Sequence, residues 1–194
     1  FHLEIALGFQ HRGVEESLRG GPHRHTAARI ETLAGDTTVG HATAWAQAFE
    51  ALSATTAPPR GQAIRGIALE LERLANHAGD LGALAGDVGF LPTASFCGRL
   101  RGDFLNMTAL LAGNRFGRGL VRPGGTLVDL DAPRAGELLK RLDDTMRDLR
   151  GAIELLFSTS TVVARFEGTG KVDPAVAEAL GLVGPAARAC GVDQ

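Results

Sequence analysis

Four side chains on one stretch have the types and spacing of a proton-handling line: Glu70, Arg73, His77 and Asp80. Their steps of three, four and three residues place an acid, a cation, an imidazole and an acid along one side of a helix. An imidazole next to an acid can take and release protons near neutral pH. The same line also reads as a buried charge network that fixes helix register, and the residues leave both readings open. The stretch that carries them, residues 60–84, has the clearest helical pattern in the chain. Ile64, Ile67, Leu71, Leu74, Ala78 and Leu81 form an apolar stripe, and Gly66, Ala68, Ala75, Gly79 and Gly82 let a neighbouring helix approach closely. Such a helix is expected at the centre of a bundle.

The elements around it follow from similar patterns. Residues 2–9 alternate apolar and polar positions, which predicts a strand or hairpin at the N-terminal end. A helix is expected from about Val39 to Ala51, with Ala44, Trp45, Ala48, Phe49 and Leu52 inward. Pro58 and Pro59 precede the central helix, because proline cannot continue a helix before it. A third long helix is expected from Ala94 to about Leu111, with Cys97 in its core face and Gly113 as its cap. A fourth starts near Asp131 with Pro133 in its first turn and turns Leu138, Leu142, Leu149, Ile153 and Leu156 inward. The expected fold is mainly α: a bundle of about four long helices with a small β element at the N-terminal end. Residues 1–194 read as a single domain, and the Phe start and Gly-Val-Asp-Gln end read as a segment of a longer protein.

Composition narrows the function. Net charge is −2 with both signs mixed, tyrosine is absent and tryptophan occurs once, which argues against a nucleic-acid surface. No apolar run reaches the ~18 residues of a membrane span. Cys97 and Cys190 match neither zinc-ligand nor disulfide-framework spacing, and a reducing, intracellular setting is expected. His11, His41 and His77 read singly as ligands, proton carriers or hydrogen-bonded structural histidines. The Gly- and Arg-rich stretch 114–125 lacks the Gly-Lys-Ser/Thr ending of a phosphate loop. It reads as a structured loop, with Arg115, Arg118 and Arg122 available to an anion or acidic surface.

Five blocks then occur in a telling order: 8–15 (GFQHRGVE), 34–50 (AGDTTVGHATAWAQAFE), 69–82 (LELERLANHAGDLG), 113–116 (GNRF) with 122–125 (RPGG), and 184–191 (GPAARACG). Together they resemble the large subunit of membrane-associated nickel–iron hydrogenases and the related quinone-side subunit of respiratory complex I, across essentially the whole chain. In the hydrogenases of this group, two cysteines hold nickel and iron where this sequence has Ala34 and Thr37. Neither supplies a thiolate, so no metal is expected at this chain's site. Complex I also lacks those cysteines, and its quinone-site tyrosine falls close to Gly35 here. His11 matches its quinone-site histidine.

The resemblance implies a subunit of a membrane-associated NADH-quinone oxidoreductase or hydrogenase-like complex, passing electrons to a quinone-type acceptor without nickel. His11, Arg12 and His41 are the candidates for the quinone cavity, and Glu70, Arg73, His77 and Asp80 for a proton relay or structural network. No cofactor is expected in this chain, while a partner iron–sulfur cluster and quinone are implied. The implied partners are a small iron–sulfur subunit and membrane subunits, with no nucleic acid. The place is the cytoplasmic side of the membrane, as a peripheral subunit. The alternatives are a catalytically inactive scaffold subunit of such a complex and, further off, an active nickel–iron hydrogenase with Asp36 as an unusual ligand.

Overall fold

The computed structural model describes residues 2, 4–6 and 11–193. Two short helices, α1 (Val14–Ser17) and α2 (Thr26–Ile30), lead into four long ones: α3 (Thr38–Leu52), α4 (Pro59–Asp87), α5 (Leu91–Ala112) and α6 (Ala132–Ser158). Between α5 and α6, β1 (Val121–Arg122) pairs antiparallel with β2 (Gly125–Thr126) around Pro123–Gly124. Short helices α7 (Ser160–Phe166), α8 (Pro174–Ala179) and α9 (Gly184–Ala189) follow. The fold is mainly α, with the four long helices that the apolar periodicity predicts. The strand expected over 2–9 falls largely outside the described residues, and residues 2 and 4–6 carry no strand. The small β element of the described chain lies instead at 121–126, within the Gly- and Arg-rich loop.

The boundaries have local causes. Pro59 opens α4 at its first helical position, where a missing N–H costs nothing. Asp131 caps α6 by accepting the Arg134 N–H at 2.9 Å. Gly113 closes α5 at φ 80°, a left-handed conformation that glycine adopts without steric cost.

α4 packs against α5 along small residues: a Cβ added at Gly82 would stand 3.1 Å from the Cys97 Cβ. The main core gathers Ile64, Ala68, Leu71, Ala75 and Ala78 of α4 with Cys97, Leu100, Phe104, Met107 and Leu111 of α5. α6 contributes Leu138, Leu149 and Ala152 to it. Arg99 ties α5 to α6 by donating to Asp103 at 2.8 Å and Asp148 at 2.7 Å.

The face of α3 differs from expectation. Ala44, Ala48, Phe49 and Leu52 are exposed, Leu52 to 90%, while Val39, Ala42, Ala46 and Glu50 are buried. Trp45 is half-buried against the core, as expected. An alanine-rich helix has little apolar contrast between its sides, so Phe49 and Leu52 misplace the rest of the face. What turns it is Glu50, a carboxylate with a partner in the interior.

Candidate functional site

α4 carries two polar lines, and only one faces inward. Glu70, Arg73, His77 and Asp80 lie on its outer side, with Arg73 and Glu70 more than half exposed as side chains. Arg73 donates to Glu70 at 3.0 Å, an exposed i,i+3 pair of small energetic weight. The reading of this line as a buried charge network is therefore corrected within this chain. The inward line lies one residue out of phase, about 100° around the helix, and holds Arg65, Glu72 and Asn76.

Arg65 is 4% exposed and Glu50 7%. Arg65 Nη2 donates to Glu50 Oε1 at 2.6 Å and to the Arg122 carbonyl at 2.6 Å, and Nη1 donates to Glu50 Oε2 at 3.2 Å. The Gly125 carbonyl accepts from the same guanidinium at 3.0 Å, and Glu50 accepts the Gly124 N–H at 2.7 Å. A buried pair is sustained only when such further bonds satisfy both ions. The Arg65 hydrogen bond holds the Glu50 carboxyl below the ordinary carboxylate range, against the upward push of burial and with help from the Gly124 N–H.

Two more carboxylates bind backbone at a distance. Glu31, also buried, accepts the Gly119 N–H at 2.7 Å. Together with Glu50 it fastens the loop 114–126 to the bundle, so that loop is a structured element, and Arg115, Arg118 and Arg122 are exposed on it. Glu72 accepts the Val39 N–H at 2.7 Å and the Gly40 N–H at 2.9 Å, at the start of α3. Burial pushes the Glu72 carboxyl above the ordinary range. The N–H groups of Val39, Gly40 and Thr38 and the charge of His41 pull it back.

Three further bonds converge on the turn 33–37. Arg12 donates to the Leu33 carbonyl at 2.8 Å, Asn76 to the Asp36 carbonyl at 2.9 Å, and Arg101 to Asp36 Oδ1 at 3.2 Å. Arg12 therefore brings the segment that carries His11 against the turn that carries Ala34, Gly35 and Thr37. His11 and Arg12 are exposed, and His41 is half-buried one turn into α3. A narrow cleft beside the turn is lined by Asp36, Glu72, Asn76, Arg101, Arg115 and Phe116, among others. Of the three candidates, Arg12 bonds to the turn, His11 precedes it in the chain and His41 lies four residues beyond Thr37 in α3, while Glu70, Arg73, His77 and Asp80 lie on the outer side of α4.

The residues of this turn do not fit a nickel–iron centre. Ala34 and Thr37 present no thiolate to a soft metal. Cys97 is fully buried in the α4–α5 seam, where burial pushes its thiol up, and Cys190 sits with a separate small cluster around Ala177, Ala187 and Val192. Among the described residues, no group of three or more His, Cys, Asp or Glu could share a metal ion. Nor is any described helix long and apolar enough to cross a membrane.

Sequence reasoning missed Glu31, Glu50, Arg65 and Glu72. A signal existed on α4: Arg65 and Glu72 are seven residues apart and flank Ala68 and Ala75 on the small-residue face. A charge on the face that a neighbouring helix must approach needs an internal partner.

The chain is similar to proteins of one group. It is 32% identical to NADH-quinone oxidoreductase subunit 4 of Thermus thermophilus, over 98% of this chain and 47% of that protein. It is 30% identical to an NADH-quinone oxidoreductase subunit of Akkermansia muciniphila, over 96% of this chain and 45% of that protein. It is also 30% identical to formate hydrogenlyase subunit 5 of Escherichia coli, over 97% of this chain and 33% of that protein. The chain thus spans about half the length of the NADH-quinone oxidoreductase relatives. The model of the respiratory-chain NADH dehydrogenase 49 kDa subunit matches residues 87–194, more than half of the chain. On that match, joined to the hydrogenase and complex I resemblance of its blocks, the chain belongs to the family of the 49 kDa subunit of respiratory-chain NADH dehydrogenase.

Proposed function

We propose that this chain is the acceptor-side part of a large subunit in a membrane-associated oxidoreductase, passing electrons to a quinone-type acceptor without nickel. The observation that carries this reading is the Arg12–Leu33 bond, which sets the His11 segment against a turn that has no thiolate. His11 is the candidate donor to the headgroup oxygen, because an imidazole N–H can bond a quinone oxygen and supply a proton as it is reduced. Arg12 then orients the segment, and His41 stands by as a second imidazole. The electrons come from a partner's iron–sulfur cluster, and the chain's own residues bind the acceptor and handle protons. The chain packs against a small iron–sulfur subunit on the cytoplasmic side of the membrane, as a peripheral part of the assembly.

With Glu70, Arg73, His77 and Asp80 on the outer side of α4, a proton-relay role for them belongs to a surface covered by a partner subunit.

Metal analysis of the full-length protein purified with its partners tests the reading. Iron without nickel, together with quinone-dependent turnover, is expected. Nickel at about one atom per large subunit would overturn the metal-free assignment. Iron without nickel but no quinone turnover would favour a scaffold role.

A further inference from the structure

The start of α3 has no cap of its own. Thr37 stands at the N-cap position without a side-chain bond to the helix, yet a helix start leaves several N–H groups to be satisfied. Glu72 satisfies two of them from another helix, with Oε2 accepting from Val39 and Oε1 from Gly40. The approach is close: a Cβ added at Gly40 would stand 3.2 Å from Glu72 Oε1 and 2.8 Å from Thr37 Cγ2. One helical turn further along α4, Asn76 holds the Asp36 carbonyl. The turn 33–37 and the first turn of α3 are thus fastened to α4 by two side chains at i and i+4. The bonds to this turn from Arg12, Asn76 and Arg101 are exposed, and the two from Glu72 to α3 are part-buried.

We infer that Glu72 is a positioning residue for the acceptor cavity: it caps α3 from α4 and fixes the turn 33–37 against which His11 is held. The inference rests on the quinone-acceptor reading above. Glu72 acts on the acceptor through the turn. Loss of its carboxylate leaves two N–H groups without partners and frees the turn to shift. A shift of about 1 Å in groups that position a reactant costs up to about a hundredfold in reactivity.

The test uses Glu72→Ala and Glu72→Gln in the full-length protein assembled with its partners, with amide hydrogen exchange and quinone kinetics read on the same preparations. Gln keeps the shape and one acceptor oxygen, so it serves where Ala does not fold. Exchange at residues 38–40 is expected to rise roughly tenfold or more in Glu72→Ala, and less in Glu72→Gln, with α6 unchanged. The kcat for quinone reduction is expected to fall at least about tenfold with KM within about twofold, and Glu72→Asp to recover part of it.

Unchanged exchange at 38–40 would overturn the capping role. Faster exchange with an unchanged kcat would overturn the link to the acceptor. A wild-type assembly without quinone turnover would overturn the acceptor reading itself, and with it the link. The exchange data would still decide whether Glu72 holds the turn.

Discussion

Glu50 and Arg65 meet in the interior at 2.6 Å, the carboxylate from the last turn of α3 and the guanidinium from the second turn of α4. Between them they take the Gly124 N–H and the carbonyls of Arg122 and Gly125, so one ion pair joins two helices and a hairpin. Glu31 and Glu72 repeat the device at Gly119 and at Val39–Gly40.

Removing one partner strands the other. Glu50→Ala leaves the Arg65 charge buried without its counter-ion, and a loss of ~3–5 kcal/mol in unfolding free energy is expected. Chemical denaturation of the purified chain measures it. A loss below ~1 kcal/mol would mean that water reaches Arg65.

The same pair sets an acid limb. The Glu50 carboxyl titrates below its unfolded value because of the Arg65 bond. Its contribution is therefore present above the ordinary carboxylate range and lost as pH falls through the lower folded value. Urea midpoints should fall as pH is lowered from neutrality through that window. In Glu50→Gln the part of the fall due to this pair should be gone.

The loop depends on one close approach. Gly117 has φ 67°, and a Cβ there would stand 2.6 Å from Val39 Cγ2 at the start of α3. Gly117→Ala should cost ~1–3 kcal/mol through left-handed strain and overpacking. Thermal unfolding checks this, and a stability equal to wild type would show that the loop can back away.

The outward line should behave as surface. Glu70→Ala or His77→Ala in the isolated chain should change stability by less than ~0.5 kcal/mol. A larger loss would bring back the structural-network reading. In the assembled complex, a loss of turnover in His77→Ala with stability intact would support the relay.

The long helices were readable because their apolar residues are large and periodic. On α6, Leu138, Leu149 and Leu156 are buried where the spacing puts them, and Pro133 and Asp131 mark its start. The inward face of α3 was not readable, since alanine carries little contrast and the decisive residue is a glutamate. The burial of the polar line on α4 was misjudged for a related reason: Glu70, Arg73, His77 and Asp80 are more numerous and more varied than Arg65, Glu72 and Asn76. Which line turns inward depends on carbonyls and N–H groups of the 114–126 loop and the start of α3. Those groups are distant in sequence, and nearly every residue type offers them. His11 and Arg12 were legible from their block, and the Arg12–Leu33 bond that joins them to the turn required the fold.

The most direct measurement of the central claim is quinone-dependent turnover of the complete assembly with His11→Ala, alongside a check that the assembly is intact. The account predicts a loss of about a hundredfold or more, the usual contribution of a positioned proton donor, with the partner subunits still bound. Unchanged turnover in an intact assembly would contradict it and leave this chain a scaffold.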